Sequence, residues 1–245
     1  MKKPLAVITG GSRGLGLAMG EALVAAGFVV EAWDLSPGEA RSGIHFRQVN
    51  VTDEASVKAA SDACVAQHGV PRALICNAGI TRDALAHKMS TEIFDQVVAV
   101  NLRGTFLPCQ VLGKAMRDAN ADAQKKGEAA TWRRILTISS VAGLFGNVGQ
   151  LNYAASKAGV VGIAKTLAKE WGRFNISVSS IAPGVMSTEM TKTIPEEVMN
   201  GFIERTPLRR TGKPEELAAF VRFLCQEDSA FLTGDVIAFS GGLLL

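Results

Sequence analysis

Short apolar runs alternate with longer stretches of helical pattern along this chain from its beginning to its end. Apolar runs of this kind are typical of buried strands, and the stretches between them carry apolar residues at helical spacing. Strands that alternate with helices form right-handed βαβ units, and such units build a mostly parallel sheet covered by helices on both faces. We therefore predict an α/β fold with a doubly wound parallel sheet. The predicted strands are Leu5–Thr9, Val29–Trp33, Ile44–Val49, Ala73–Cys76, Ile135–Ser139, Ile176–Ile181 and Val236–Phe239, and the predicted helices are Gly14–Ala26, Asp53–His68, Thr91–Asp118, Asn152–Phe174 and Pro214–Gln226.

A single domain spanning residues 1–245 is predicted, because the chain contains no internal repeat, no low-complexity tract and no linker. Two segments fit the alternation less well. Ala119–Trp132 is polar and rich in alanine, which predicts an exposed helix extension followed by a loop. Ser187–Pro207 follows the carboxyl end of a predicted strand, where α/β proteins bind their ligands. We therefore predict a substrate lid at about residues 187–207.

Charge, hydropathy and cysteine usage exclude several functional classes. The net charge is only +3, and the basic residues are mixed with acidic ones, so we expect no nucleic-acid partner. No apolar run approaches the roughly 18 residues that a membrane span needs, so we expect no membrane partner. The four cysteines lack CxxC spacing and predict reduced, buried thiols in a cytoplasmic protein. The three histidines form no cluster with them, and we expect no metal site.

The segment Thr9–Gly16 (TGGSRGLG) directly follows the first predicted strand and opens the first predicted helix. Glycines at such a junction permit a tight turn and let backbone N–H groups approach a pyrophosphate, which the helix N-terminus attracts. A glycine-rich turn alone is also consistent with a tight connection, but its position at the first strand–helix junction favours a dinucleotide site. The predicted cofactor contacts in this loop are Gly10, Ser12, Arg13, Gly14, Leu15 and Gly16.

The second predicted strand is followed by Asp34, which stands eighteen residues beyond Gly16. A carboxylate at this place can accept hydrogen bonds from the adenosine ribose hydroxyls and repels a 2′-phosphate, although a solvated loop aspartate is the alternative. Arg13 acts in the opposite sense, because a guanidinium in the phosphate loop could bind that phosphate. We expect NAD(H) as the favoured cofactor, with NADP(H) as the alternative.

Tyr153 and Lys157 stand four residues apart in the segment NYAASKAG, at the start of a predicted helix, so their side chains share one face. Tyrosine has a reference pKa of about 10, and a neighbouring ammonium lowers that pKa toward the range useful for acid–base catalysis. Ser140 lies thirteen residues before Tyr153, just past a predicted strand, where its hydroxyl could polarise a substrate carbonyl. Each residue alone is equally consistent with a surface or packing role, and only their combination predicts a catalytic site.

These motifs together resemble the short-chain dehydrogenase/reductase family, from Leu5 to Gly242. The resemblance implies a seven-stranded sheet of order 3-2-1-4-5-6-7 and an NAD(P)-dependent oxidoreductase. It implies that Tyr153 is the general acid or base, that Ser140 orients the carbonyl, and that Lys157 also holds the ribose hydroxyls. The motifs that carry the resemblance are the Thr9–Gly16 loop, Asn77-Ala78-Gly79, Asn101, Ser140, Tyr153 with Lys157, and Pro183-Gly184.

The resemblance also implies functional residues outside those motifs. Asn101 would support a water chain to solvent, and Thr188 would contact the nicotinamide carboxamide. Two positions depart from the family pattern: Cys76 replaces the first asparagine of Asn-Asn-Ala-Gly, and Asn50 replaces an aspartate that often contacts the adenine. We expect Cys76 to pack and Asn50 to hydrogen-bond the adenine amino group. The implied cofactor contacts are Asn50, Val51, Asn77, Ala78, Gly79, Tyr153, Lys157, Pro183, Gly184, Val185 and Thr188.

Within the family, the chain is most similar to the 3-oxoacyl-(acyl carrier protein) reductases, through NAGITRD at residues 77–83, GNVGQLNYAASK at residues 146–157 and PGVMSTEMT at residues 183–191. This likeness implies interconversion of 3-oxoacyl and (R)-3-hydroxyacyl thioesters of acyl carrier protein or CoA, and a homotetramer. An exposed apolar tail is a liability, so the sequence end Gly241–Leu245 favours burial between subunits. The implied substrate contacts are Ser140, Gln150, Tyr153 and Met186, with Gln150 donating to the thioester carbonyl.

Substrate and partner stay open at this point. Members of the family meet the acidic carrier protein through basic residues, and we expect Lys125, Lys126, Arg133 and Arg134 to lie near a surface, although solvation alone explains the two lysines. The same scaffold hosts many substrates, so a dehydrogenase of another small alcohol, sugar, steroid or quinone is an alternative. A non-catalytic dinucleotide sensor is a further alternative, against which the intact acid–base pair argues.

Overall fold

The computed structural model describes residues 3–36, 38–189, 191–192 and 194–243. Within this part of the chain the strands are β1 (Leu5–Thr9), β2 (Val29–Asp34), β3 (Ile44–Gln48), β4 (Ala73–Cys76), β5 (Arg133–Ile138), β6 (Ile176–Pro183) and β7 (Val236–Phe239). They form one sheet of order β3-β2-β1-β4-β5-β6-β7, in which all neighbours are parallel. This topology confirms the predicted fold class and the strand order that the family resemblance implies.

Helices connect the strands and cover both faces of the sheet. In the described residues they are α1 (Gly14–Ala25), α2 (Glu54–His68), α3 (Thr91–Val98), α4 (Gly104–Pro108), α5 (Lys114–Lys125), α6 (Val141–Phe145), α7 (Leu151–Trp171), α8 (Glu196–Arg205) and α9 (Pro214–Leu224). Two π-helical turns, Ala99–Arg103 and Cys109–Gly113, join α3, α4 and α5 into one long helical segment. Short 3₁₀ turns lie at Ala86–Lys88, Gly172–Phe174 and Glu227–Ser229.

The strand β1 shows why the apolar runs of the sequence are unbroken. Each of its residues is buried, since a parallel sheet is covered on both faces. Val7 points into a core closed by α2, α4, α5 and α7, and Ile8 points into a second core closed by α1 and α9. All four cysteines are buried and free, as predicted. No helix in the described part of the chain is long and apolar enough to cross a bilayer.

The segment predicted as an exposed helix extension continues as helix to Lys125, beyond the predicted end at Asp118. Ion pairs between residues three or four apart, Lys114 with Asp118 and Asp122 with Lys125, stabilise this extension. Two helices had no separate prediction: α6 and α8 are short, and short segments give weak periodic signals. Helix α8 lies within the predicted lid segment.

Arg133 and Arg134 do not lie at the surface as expected. They begin β5 and are only 8% and 0% exposed, respectively. The guanidinium of Arg134 donates to the carbonyl oxygens of Leu224, Ser229 and Leu232 at 2.6–2.8 Å, which satisfies its buried donors. Burial lowers the pKa of both guanidinium groups to about 10, so both stay charged at neutral pH. These two arginines therefore stabilise the interior and are not available to an acidic partner.

Candidate active site

The glycine loop lies between β1 and α1, at the carboxyl edge of the sheet. Gly16 is required by space, because a Cβ there would lie 2.0 Å from the carbonyl oxygen of Gly10. Gly14 has a φ of +54°, and a Cβ added to it would meet no atom within 4 Å, so this turn faces open space. Arg13 is exposed at the start of α1, and Leu15 packs against the core. An open turn in front of a helix N-terminus fits a pyrophosphate.

Asn77 braces this loop from the neighbouring strand. Its Nδ2 donates to the carbonyl oxygens of Thr9 and Gly10 at 3.1 and 3.0 Å. The Thr9 hydroxyl in turn accepts from the backbone N–H groups of Asn77 and Ala78, both at 3.1 Å. Asn77 and Ala78 therefore hold the shape of the proposed phosphate site as well as lining it.

Asp34 ends β2 beside the same loop. Its Oδ2 accepts hydrogen bonds from the Ser12 hydroxyl at 2.6 Å and from the Ser12 backbone N–H at 3.1 Å. Its Oδ1 accepts from the backbone N–H of Leu35 at 2.8 Å. The carboxylate is half-buried and fixed at the mouth of the loop, where ribose hydroxyls could donate to it.

Tyr153, Lys157 and Ser140 come together next to the carboxyl end of β5. Tyr153 and Lys157 lie one turn apart on α7, with the Lys157 Nζ 5.7 Å from the centre of the Tyr153 ring. The Lys157 Nζ donates to the carbonyl oxygen of Ile138 at 2.7 Å. Ser140 caps the N-terminus of α6 through a 3.2 Å bond from the Ala142 N–H, and its side chain lies near enough to Tyr153 to lower the pKa of the phenol. The two hydroxyls can therefore reach one common oxygen atom.

Asn101 lies in the first π-helical turn and is fully buried. Its Oδ1 accepts from the Ile80 N–H at 2.8 Å, and its Nδ2 donates to the Ile80 carbonyl at 3.1 Å and to the Ser156 hydroxyl at 3.1 Å. Ser156 in turn donates to the carbonyl oxygen of Tyr153 at 2.7 Å. Asn101 thus ties the strand-end loop to the helix that carries Tyr153. The π-helical turn is typical of functional positions.

Gly79 makes room between two of these side chains. A Cβ at this position would lie 3.3 Å from both the Asn101 Oδ1 and the Lys157 Nζ, tighter than most side-chain contacts. The glycine therefore lets the asparagine and the lysine approach the same backbone segment.

The pKa values of the acid–base pair differ from the sequence-based expectation. Burial raises the pKa of Tyr153, the hydrogen bond from Ser140 lowers it, and the Asp83 charge raises it further, for a net upward shift. Burial lowers the pKa of Lys157 to about 8. Lys157 does not pull the tyrosine pKa down here, because its amine is directed to the Ile138 carbonyl. The raised pKa favours the protonated form of Tyr153 at neutral pH.

Asn50 and Val51 follow β3. The Asn50 Oδ1 accepts from both the backbone N–H and the hydroxyl of Thr52, at 3.0 and 2.8 Å. The amide oxygen that would receive an adenine amino group is therefore already engaged in an Asx-turn. Val51 is buried and leaves no room for a side chain on the facing Gly104.

The segment after β6 carries the remaining predicted contacts. Pro183 is buried at the end of the strand, and the Gly184 N–H donates to the Phe239 carbonyl at 2.9 Å. The Thr188 N–H donates to the Thr191 hydroxyl at 2.9 Å. The first bond ties the residues before the predicted lid to β7, and the second lies within the lid segment. Residues 190 and 193 of that lid lie outside the described residues.

Of the predicted substrate contacts, Met186 is buried in the core and Gln150 is hydrogen-bonded to Asp83. Met186 is only 5% exposed and belongs to the buried core, where a Cβ on Gly212 would lie 2.5 Å from its sulfur. It offers little surface to a substrate. The Val185 carbonyl accepts from the Gly212 N–H at 2.9 Å. Gln150 lies beside Tyr153 in sequence, but its Nε2 already donates to Asp83.

Two polar residues of the site had no sequence-based prediction. The Asn152 Nδ2 donates to the Arg82 carbonyl at 2.9 Å, and its Oδ1 accepts from the Tyr153 N–H at 2.7 Å. Asp83 accepts from Gln150. Both residues lie inside the motifs quoted above, so their only sequence signal is a position next to candidate site residues. Only the three-dimensional contacts distinguish them from surface residues.

Comparison with known proteins agrees with this geometry. A family model described as "Enoyl-(Acyl carrier protein) reductase" matches residues 10–244. The chain is 39% identical to a 3-oxoacyl-[acyl-carrier-protein] reductase of Thermotoga maritima, over 98% of this chain and 97% of that protein. It is also 39% identical to an acetoacetyl-CoA reductase of Rhizobium meliloti, over 97% of each. The solved structure "Crystal structure of gox2181" superposes with a TM-score of 0.90 at 29% identity, over 100% of this chain and 96% of that one. The chain therefore belongs to the short-chain dehydrogenase/reductase family of NAD(P)-dependent oxidoreductases.

Proposed function

We propose that this protein reduces 3-oxoacyl thioesters to (R)-3-hydroxyacyl thioesters. The observation that carries the proposal is the placement of Ser140 and Tyr153 at the N-terminal ends of α6 and α7, close enough for Ser140 to lower the Tyr153 pKa, since this brings two hydroxyl donors to the place where one carbonyl oxygen would bind. The names of the related reductases, which act on 3-oxoacyl-(acyl carrier protein) and on acetoacetyl-CoA, support the choice of substrate class.

In this reaction a bound nicotinamide dinucleotide supplies the hydride. Tyr153 gives its proton to the carbonyl oxygen, and Ser140 stabilises the negative charge that develops there. Asn101 and Lys157 position α7, through the bonds that they make to Ser156 and to the Ile138 carbonyl. The raised pKa of Tyr153 keeps the donor protonated before the transfer.

Residues of the glycine loop and of the strand ends would hold the cofactor. We propose that Gly10, Ser12 and Gly14–Gly16 contact the pyrophosphate and that Asp34 accepts from the adenosine ribose. We also propose NAD(H) over NADP(H), because a 2′-phosphate would meet the fixed Asp34 carboxylate. Arg13 is exposed nearby and would offset part of this repulsion if it turned toward the phosphate. Further contacts are proposed at Asn50, Val51, Asn77, Ala78, Gly79, Lys157, Pro183, Gly184, Val185 and Thr188.

An apolar surface borders the catalytic residues. Leu144, Phe145, Val148 and Leu151 expose 37–85% of their surface on both sides of the α6–α7 connection. Isolated exposed apolar residues are ordinary, but a group of them next to catalytic hydroxyls fits an acyl chain. The predicted lid, which contains the largely exposed helix α8, would cover this surface.

The matching family model names an enoyl reductase, which requires a different proton transfer. Reduction of an enoyl group delivers hydride to one carbon and the proton to its neighbour, whereas carbonyl reduction delivers the proton to oxygen. Two hydroxyl donors at one point suit a developing oxyanion better than a carbon. We therefore favour carbonyl reduction.

The test is a substrate screen with purified protein. Acetoacetyl-CoA, crotonyl-CoA, simple ketones, a sugar, a steroid and a quinone are each assayed with NADH and with NADPH. We expect acetoacetyl-CoA to be reduced with kcat/KM of about 10⁴ M⁻¹s⁻¹ or more, and crotonyl-CoA not to be reduced. Brisk turnover of a sugar, steroid or quinone, with acetoacetyl-CoA untouched, would contradict the substrate class and leave the mechanism standing.

We further propose a cytoplasmic homotetramer whose substrate is carried by CoA or by acyl carrier protein. Support for assembly comes from Phe231, which is fully exposed beside Leu232, close in sequence to the edge strand β7. Exposed aromatic residues next to a sheet edge are typical of subunit contacts. In the apolar segment Gly241–Leu245, for which the sequence predicts burial between subunits, Leu244 and Leu245 lie outside the described residues. Light scattering that finds a stable monomer would contradict the proposal.

A further inference from the structure

Asp83 lies in the loop that follows β4 and is tied to the residues just before Tyr153. The Gln150 Nε2 donates to both of its carboxylate oxygens, at 3.3 and 3.1 Å. The Asn147 Nδ2 donates to the Gln150 Oε1 at 3.0 Å, and the Ala84 N–H donates to the Gly149 carbonyl at 2.8 Å. These bonds join the loop after β4 to the α6–α7 connection. The carboxylate is therefore held beside the segment that leads into Tyr153.

The charge of Asp83 is not neutralised by a cation. Its neighbour Arg82 donates to its own chain, at the Thr81 carbonyl 2.8 Å away. None of the ion pairs between described residues includes Asp83. The charge is nevertheless felt inside the site, because it adds to burial in raising the pKa of Tyr153.

Beyond the exposed Arg82, which donates to the Thr81 carbonyl, the surroundings of Asp83 offer mainly apolar side chains to an incoming anion. Leu85 is 46% exposed two residues away, and the α6–α7 connection that Asp83 and Ala84 contact carries exposed apolar residues such as Phe145 and Val148. A carboxylate of a substrate would meet the Asp83 charge and an apolar surface.

We propose that Asp83 is a specificity-determining residue that excludes substrates with a free carboxylate, so that 3-oxoacyl groups enter only as neutral thioesters or esters. The inference rests on the proposed function. In a free 3-oxo acid the carboxylate is two bonds from the reacting carbonyl carbon, so it occupies the place of the thioester group. The substrate carboxylate and the Asp83 carboxylate carry like charges and repel each other. Each tenfold loss in kcat/KM corresponds to about 1.4 kcal/mol.

The experiment compares Asp83→Asn with the wild type on two small probes, acetoacetate and ethyl acetoacetate. Asparagine keeps an oxygen that accepts from the Gln150 Nε2 and removes the charge. We expect the ratio of kcat/KM for acetoacetate to kcat/KM for ethyl acetoacetate to rise about tenfold or more in the variant. Glu128→Gln removes a charge from an exposed loop residue elsewhere and should leave the ratio unchanged.

Salt provides a second measurement that needs no variant. Screening weakens exposed charges, so the wild-type ratio should rise between about 0.02 and 0.5 M salt, and the Asp83→Asn ratio should not. An unchanged ratio in the variant, or a salt-independent ratio in the wild type, overturns the role of Asp83 while reduction of the ester upholds the proposed function. If neither ethyl acetoacetate nor acetoacetyl-CoA is reduced by the wild type, the proposed function fails and this inference fails with it.

Discussion

Lys157 lies one helical turn after Tyr153, with its Nζ 5.7 Å from the centre of the phenol ring and bonded at 2.7 Å to the carbonyl of Ile138. The amine is thus anchored to the end of β5 and not to the phenol oxygen. Because burial lowers its pKa to about 8, its charge is sensitive to mildly alkaline conditions. The position of this lysine is therefore expected to control both the pH range of the reaction and the alignment of the proton donor.

The lysine should produce an alkaline limb in the pH profile. Its ammonium form is complete well below pH 8 and is lost as the pH rises through its pKa of about 8, whereas the pKa of Tyr153 is raised. We expect wild-type kcat/KM to fall above about pH 8. In Lys157→Met we expect the rate of reduction to fall about 10²-fold or more and the decrease above pH 8 to disappear. The variant should also bind the cofactor more weakly. The same limb in the variant would assign the titration to another group.

Gly79 should be sensitive to the smallest enlargement. In Gly79→Ala the added methyl group lies 3.3 Å from both the Asn101 Oδ1 and the Lys157 Nζ, so these side chains must move. We expect kcat to fall about tenfold, since small displacements of catalytic groups are costly. Gly162→Ala on α7 is the matched control, because its methyl group meets no atom within 4 Å. Equal activities of the two variants would contradict the role given to Gly79.

Cofactor preference should depend on Asp34. Replacing Asp34 by serine removes the carboxylate that Ser12 holds at 2.6 Å and with it the repulsion of a 2′-phosphate. The ratio of kcat/KM with NADH to kcat/KM with NADPH should fall about tenfold. Glu39→Gln, which removes an exposed charge five residues further on, should change the ratio little. A wild-type enzyme faster with NADPH would mean that Arg13 outweighs Asp34.

Stability should depend on a buried ion pair next to β2. Glu31 is fully buried and accepts from the Arg47 guanidinium at 2.7 and 2.9 Å. Burial by itself raises the pKa of Glu31. The hydrogen bonds from Arg47 and Trp33 together lower it by more than burial raises it, so the net pKa is below the ordinary value. The pair therefore stabilises the fold above the unfolded-state pKa of glutamate, and this contribution is lost as the pH falls through the folded-state pKa.

Arg47→Met should lower the free energy of unfolding by about 3 kcal/mol at pH 7, because it leaves a buried carboxylate with only the His68 imidazole, 3.5 Å away, as a basic partner. Denaturant titrations of wild type and variant should converge as the pH is lowered below about 4. Lys58→Met, which breaks the exposed pair with Asp62, should have little effect. A difference that is independent of pH would show that packing, and not charge, accounts for the loss.

Much of the fold follows from the sequence because local patterns and global topology agree. The strand positions are marked by unbroken aliphatic runs such as Leu5–Thr9, and the alternation with helices then leaves few topologies. The catalytic residues are recognisable for a similar reason, since the four-residue spacing of Tyr153 and Lys157 places both on one face of α7.

Features that depend on distant contacts could not be predicted in this way. The carbonyl oxygen of Leu224 that receives Arg134 is ninety residues away in sequence, so the burial of this arginine has no local signal. The bond between Asp83 and Gln150 spans 67 residues. The upward shift of the Tyr153 pKa likewise arises from burial, which a spacing of residues does not reveal.

The central claim is that Tyr153 donates the proton to a 3-oxoacyl carbonyl. The most direct measurement is the rate of acetoacetyl-CoA reduction by Tyr153→Phe, together with cofactor affinity from fluorescence titration of the same variant. Phenylalanine keeps the ring on α7 and removes only the phenol hydroxyl next to Ser140. We predict a loss in kcat of about 10²–10⁴-fold with cofactor affinity nearly unchanged. Reduction of acetoacetyl-CoA by Tyr153→Phe at close to the wild-type rate would contradict the account.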